Sequence, residues 1–163
     1  MRQLFLAAAL LAGLYGCAAF GPPPQAGDPE QEVIARLGQP THRYSDGQTR
    51  LLEYMHGPWG QTTYMARIGP DGRLISYEQV LTPQKFGQIQ VDRATKDDVL
   101  RIIGAPSDTA YLSLSQREVW SYPYLEQGLW DSMMHVHFDN AGIVRMMQNG
   151  PDPRRMPSDN GKT

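Results

Sequence analysis

The segment Thr95 to Pro106, TKDDVLRIIGAP, dictates one short helix together with both of its ends. Thr95 supplies a hydroxyl for the first free amides, and Asp97 and Asp98 put negative charge in the first turn, where the helix dipole favours it. Val99, Leu100, Ile102 and Ile103 provide apolar residues at helical spacing, enough for one buried face. Gly104 stands where a left-handed terminal residue is wanted, and Pro106 follows where the helix cannot continue. The same arrangement occurs in Glu30 to Pro40, EQEVIARLGQP. Val33 and Val99, Leu37 and Ile103, Gly38 and Gly104, and Pro40 and Pro106 recur 66 positions apart. A period of that length is too long for a solenoid unit and fits a duplicated small domain.

Each helix is followed by a run of strand and turn signals. After the first come Thr41 to Ser45, the hairpin turn Asp46-Gly47, Thr49 to Met55, a break at His56 to Gly60, Thr62 to Ile68, the turn Gly69 to Gly72, and Arg73 to Leu81. After the second come Thr109 to Leu114, a turn at Ser115 to Arg117, Glu118 to Tyr122, a loop at Pro123 to Leu129, Trp130 to Phe138, the turn Asp139 to Gly142, and Ile143 to Gln148. Leu52 and Tyr54 match Trp120 and Tyr122, Ile68 matches Phe138, Gly72 matches Gly142, and Leu74 matches Val144. The alternation of Trp120 and Tyr122 with Val119 and Ser121 describes a strand with one face on the helices. The fold class is α+β: short helices packed on an antiparallel meander, used twice. The second copy has an extra short helix, capped by Thr82 with Pro83 at its first position, and Phe86, Ile89 and Val91 then lead into Thr95.

The N-terminus reads as a targeting segment. Arg2 is a short positive start, and Leu4 to Leu14 is almost purely apolar. That run is shorter than the roughly 20 residues needed to span a bilayer and fits a signal core. It ends Leu14-Tyr15-Gly16-Cys17, which resembles the lipobox of bacterial lipoproteins, in which the cysteine is acylated and becomes the mature N-terminus. Cys17 is the only cysteine in the chain, so an internal disulfide is excluded. The alternatives are an ordinary signal peptide cut near Ala18 or Ala19, and a free structural cysteine. Three acyl chains exceed the two signals needed for stable anchoring. Ala18 after the cysteine, in place of the aspartate that retains enteric lipoproteins in the inner membrane, implies an outer-membrane destination. Three consecutive prolines, Pro22 to Pro24, then read as an extended tether. The expected partition is a lipoprotein signal peptide at 1–16, lipidated cysteine and tether at 17–28, a first module at 29–80, a second and more complete module at 81–149, and a disordered tail at 150–163.

The formal net charge of −2 is small and mixed, which argues against nucleic acid as a partner and against a polybasic membrane patch. No serine lies in a nucleophile elbow, and no glycine-rich loop leads into a helix with a lysine. The only carboxylate pair that stands out is Asp97 with Asp98, which belongs to the helix start. The chain is therefore expected not to be an enzyme, with no catalytic residue and no cofactor. His135-x-His137 is the one metal candidate: on a strand the two rings share a face, opposite Met134, Val136 and Phe138. No third ligand is evident nearby, so no metal site is expected. His42 and His56 stand alone and read as surface residues. Trp59 and Trp130 fall in or beside equivalent loops, and with Tyr124 they are the candidates for partner binding.

From Leu81 onward, LTPQKFGQIQVDRATKDDVLRIIGAP, EVWSYPY and MMHVHFDNAGIV resemble the SmpA/OmlA, or BamE-like, family of small outer-membrane lipoproteins. The parts that carry the resemblance are the helix pair, Ile103, Gly104 and Pro106 at the helix end, the Trp120-x-Tyr122 strand, and Phe138 with Gly142 in the closing hairpin. Gly38 and Pro40 repeat the helix end in the first copy. The resemblance implies a lipid-anchored protein on the periplasmic face of the outer membrane. It would serve as a non-catalytic accessory to the machinery that assembles β-barrels, or to envelope maintenance. Tandem modules of this fold also occur in secreted β-lactamase inhibitor proteins, where two sheets join into one concave surface. That gives an alternative: a periplasmic module that inhibits or senses an enzyme or the cell wall.

Overall fold

The structure is a computed structural model and describes residues 22–57 and 60–155. The expected signal peptide, Cys17, Trp59 and residues 156–163 lie outside the described residues. Helix α1 (Glu30–Leu37) precedes β1 (His42–Asp46), β2 (Thr49–His56), β3 (Thr62–Ile68) and β4 (Leu74–Gln79). Helices α2 (Pro83–Phe86) and α3 (Lys96–Ile103) precede β5 (Asp108–Leu112), β6 (Arg117–Glu126), β7 (Trp130–Phe138) and β8 (Val144–Pro151). The strands form two separate four-stranded antiparallel sheets, each in sequence order.

Helix α3 starts with a full capping box. The Thr95 hydroxyl accepts from the Asp98 amide at 3.2 Å, and the Asp98 carboxylate accepts from the Thr95 amide at 2.8 Å. Helix α1 starts at Pro29, with no side-chain cap. In both halves the helix start is stitched to the last strand by equivalent backbone bonds. Glu30 donates to the Gly72 carbonyl at 3.0 Å, and Lys96 to that of Gly142 at 3.1 Å. Leu74 donates to the Asp28 carbonyl and Val144 to that of Ala94, each at 2.8 Å.

The layers run α1, first sheet, α2 with α3, second sheet. Val33 of α1 packs on Leu52, Tyr54, Ala66, Ile68 and Leu74. The opposite face of the same sheet buries Leu51, Met65 and Val80 against Tyr44. There Tyr44 and Ser45 face Asp97, Leu100 and Arg101 across a cleft. The other side of α3, Val99 and Ile103, packs with Phe86 and Ile89 on Trp120, Tyr122, Val136 and Phe138. Each such apolar side chain contributes about 1.5–3 kcal/mol when fully buried. The second half has the larger cluster because Leu81, Phe86 and Ile89 roof the part of its sheet that α3 leaves open. Among the described residues the two sheets do not join, so no single concave sheet is built from both halves.

Three stretches differ from the sequence expectation. Pro123 to Leu129 is not all loop, since β6 continues through Pro123 to Glu126. The β5 pairing ends at Ser121, so beyond it β6 has, among the described residues, a strand neighbour only in β7, and a proline is tolerated on the unpaired side. The segment from residue 150 is not all tail. Gly150 and Pro151 pair with Met133 and Ser132, and Asp152 is 1% exposed. Nor is the tether extended throughout. Pro24 is buried, and Gly27 donates to the Leu74 carbonyl at 2.8 Å, so its last residues fold onto β4.

Candidate partner-binding surfaces and the joint between the halves

The halves meet at a buried carboxylate. Glu53, in the middle of β2, has a side chain 0% exposed. Its Oε2 accepts from the Tyr44 hydroxyl at 2.6 Å and lies 3.1 Å from His42 Nδ1. Its Oε1 accepts from the Ala105 amide, in the second half, at 3.1 Å. The Tyr122 hydroxyl donates to the Gly104 carbonyl beside it at 3.1 Å. Burial is the main cause that raises the phenol pKa of both tyrosines, and the Glu53 carboxylate adds to it. Both therefore stay protonated donors at ordinary pH. Sequence reasoning missed this cluster and left His42 alone, whereas His42 is a partner of Glu53. The available signal was a lone charge inside Leu51 to Tyr54, a run buried on both faces.

The helix-end signature now has a physical meaning. Gly104 adopts φ 81°, ψ −167°, a region open essentially to glycine. A Cβ there would also lie 2.6 Å from Glu53 Oε1. Gly38 has nearly the same backbone, φ 86°, ψ −172°, with nothing within 4 Å of its missing Cβ. Pro40 and Pro106 are half-buried and lead into equivalent bonds, Thr41 to the Glu53 carbonyl at 2.7 Å and Ser107 to that of Ser121 at 3.0 Å. Trp120 Nε1 donates to Glu118 at 2.6 Å, and the Trp120 ring lies 4.7 Å from that of Phe138. The Lys96 ammonium sits 5.7 Å from both ring centroids, with its stem 3.8 Å from where a Gly142 Cβ would stand.

Of the partner-binding candidates, Trp130 is 64% exposed at the β6–β7 tip, beside Leu129 at 71% and Leu125 at 36%. Tyr124 is a correction. It is 1% exposed, edge-on to Phe86 at 4.9 Å, with its hydroxyl on Asn149 at 3.1 Å. The continued strand turns it inward, in register with Trp120 and Tyr122. Gln61 at the start of β3 donates to Asp131 at the start of β7 at 2.7 Å, so equivalent ends of the two sheets lie together. The exposed β6–β7 tip is therefore at the end away from the β3–β4 turn, beside which the residue 27–28 segment joins the first sheet. A second apolar group, Tyr111, Leu112 and Leu114, is exposed along β5 and its turn.

His135 and His137 share the sheet face opposite Met134, Val136 and Phe138. His135 Nδ1 is 2.9 Å from Ser121 Oγ, and His137 Nδ1 is buried without a hydrogen-bond partner among the described residues. Burial lowers both imidazole pKa values, and for His137 the neighbouring His135 and Arg117 add to the effect. Among the described residues no group of three or more metal-ligating side chains comes together.

Helices on one face of an antiparallel meander, closed by a glycine turn, define an α+β domain of the second half. Residues 78–148 match the family model of the outer membrane protein assembly factor BamE domain. No curated protein matches the chain. Among solved structures, a DUF4309 family protein from Bacillus subtilis is similar at 14% identity, over 75% of this chain and 77% of that one, with a TM-score of 0.33.

Proposed function

We propose that this chain is an outer-membrane lipoprotein facing the periplasm. It acts as a non-catalytic accessory factor in the assembly of β-barrel outer-membrane proteins or in envelope maintenance. The observation that carries the reading is the match of residues 78–148 to the BamE domain, which takes in α2, α3 and nearly all of the second sheet. The equivalent backbone bonds of the first half support a second, diverged BamE-like unit at 29–80. Acylation at Cys17 anchors the chain, and the β6–β7 tip with Leu125, Leu129 and Trp130 presents a partner surface at the end away from the point where residues 27–28 join the first sheet. Buried joints such as Glu53 hold the two units as one body, as a scaffold requires.

Crosslinking in native envelopes, followed by recovery of the chain, tests the role. The β-barrel assembly machinery is expected to be enriched, and Trp130→Ala with Leu129→Ser is expected to weaken the enrichment. Its absence from the crosslinked material removes the assembly reading. Cys17→Ala is expected to leave the protein unacylated and out of the outer-membrane fraction, and its recovery there would remove the anchor.

A further inference from the structure

The edges of the two sheets are not equally protected. The edge of β4 is met at its start by residues 27–29, through Gly27 to Leu74 and Leu74 to Asp28. The edge of β8 is met at its start by Asp92 to Thr95, through Asp92 to Val144 and Val144 to Ala94. The β1 strand carries Arg43, held by Gln39 and Glu30, and has α3 across its Tyr44. Among the described residues no backbone segment bonds to the outer edge of β5. Its five residues, DTAYL, are all exposed, and its register with β6 is free of bulges. It contains no lysine, arginine or proline, and its one charge is Asp108, at the first residue of the strand.

One hydrogen bond shows which backbone groups point outward. The Thr109 amide donates to the neighbouring Asp108 carboxylate at 2.9 Å and not to β6. Main-chain groups alternate sides along a strand, so Thr109 and Tyr111 direct their N–H and C=O away from the sheet; with the Thr109 amide held by Asp108, the groups offered to a neighbour are the Tyr111 N–H and the carbonyls of Thr109 and Tyr111. Asp108, Ala110 and Leu112 then face Ser121, Val119 and Arg117 in the ladder. The side chains of Thr109 and Tyr111 lie on the Trp120 face, and those of Ala110 and Leu112 on the Val119 face.

We propose that the free edge of β5 accepts an extended strand of a partner polypeptide whose residues alternate between apolar and polar. Only another strand offers donors and acceptors at the ladder spacing, and main-chain bonds then supply the affinity. Apolar residues of the incoming strand would lie beside Ala110 and the 44% exposed Leu112, extending the apolar row that Val119 begins. Its alternate residues would flank Thr109 and Tyr111. Alternation of this kind characterises segments that become strands of membrane β-barrels. The inference deepens the assembly-factor reading, on which it rests for the source of the strand, by naming the chemistry of the partner.

The test uses the full acylated chain in detergent micelles. The probe is a fluorescent ten-residue peptide alternating valine and threonine, with lysine at each end. Saturable binding is expected. Tyr111→Pro removes an outward amide and is expected to weaken binding at least tenfold while leaving the melting temperature within a few degrees. Ala110→Pro removes a ladder amide and is expected to lower the melting temperature clearly. The same peptide N-methylated at alternate amides, on the side that faces β5, is expected not to bind the unmodified protein. Absence of saturable binding, or equal binding by Tyr111→Pro, overturns the proposal. So does sedimentation that shows a dimer abolished by Tyr111→Pro, because the edge then belongs to a second copy. Peptide binding without recovery of the assembly machinery from envelopes keeps the strand acceptor and removes the assembly role. Recovery of the machinery without peptide binding does the reverse.

Discussion

Each half ties the first residue of its main helix to its second strand with an ion pair, and the two pairs have opposite polarity. Glu30 meets Arg50 at 2.6 Å in the first half, and Lys96 meets Glu118 at 2.6 Å in the second. These are equivalent positions in the element order of the two halves. Helix and strand meet through an ion pair in both halves, with the charges reversed. Glu118 has a further task, since it also accepts from Trp120 Nε1, and Lys96 lies over that ring. Leu52 occupies the tryptophan position in the first half and asks nothing of Arg50. The two helix-end glycines differ in the same way: Gly104 abuts Glu53, whereas Gly38 faces open space. The halves share a backbone plan, and the second is tied into the first through residues the first half does not duplicate.

The largest expected effect breaks that contrast at the glycines. Alanine at either position meets the unfavourable backbone region, at a cost of about 1–3 kcal/mol. Gly104→Ala also forces the buried, hydrogen-bonded Glu53 aside, so we expect a loss of about 4 kcal/mol or more. Urea midpoints of the two variants measure the gap, and equal midpoints would show that the joint does not constrain Gly104.

Next is the carboxylate itself. Glu53→Ala leaves the Tyr44 hydroxyl and the Ala105 amide without their acceptor and is expected to cost about 2–4 kcal/mol. Ser121, its counterpart in the second sheet, bonds only His135 among the described residues, and Ser121→Ala is expected to cost under about 1 kcal/mol. Chemical denaturation compares them, and a larger loss at Ser121 would misplace the joint.

The exchanged ion pairs sharpen the comparison with a smaller effect. Glu118→Arg sets two cations together and strands the indole N–H, for about 1–2 kcal/mol. Adding Lys96→Glu copies the polarity of the first half and is expected to return only the coulombic part, roughly 0.5–1 kcal/mol. Full recovery in the double variant would mean that the Trp120 bond to Glu118 contributes little.

The smallest effect concerns helix starts. Bonds from the Thr95 amide and hydroxyl, and then Arg101, hold the Asp98 carboxyl below its ordinary pKa. Its stabilising contribution is thus complete above the unfolded value, near 4. It is lost as pH falls through the lower folded value. Stability measured from pH 5 down to 2 should fall less steeply for Asp98→Asn, and Thr95→Ala should cost about 1 kcal/mol at neutral pH. Helix α1, started by Pro29, has no such side-chain cap to lose.

Much of this architecture is written in short stretches of chain. Thr95 with Asp98 starts α3, Gly104 ends it, Asp46-Gly47 and Gly69 to Gly72 close hairpins, and the alternation of Trp120 with Tyr122 states which face is inside. These signals act over four residues or fewer, through a cap, a backbone conformation or the two-residue period of a strand, so they survive without knowledge of the rest. Other features depend on what the other half brings. Glu53 is a surface charge until α3 is laid over its sheet and Ala105 offers an amide. Pro123 breaks a strand unless β5 has already ended. Tyr124 is a loop aromatic until β6 runs on and Phe86 covers it. Whether two sheets join or stack with a helix pair between them is decided by which apolar faces remain to be buried once each half has formed. Only the tertiary structure reveals that α3 has two such neighbours, one on each side.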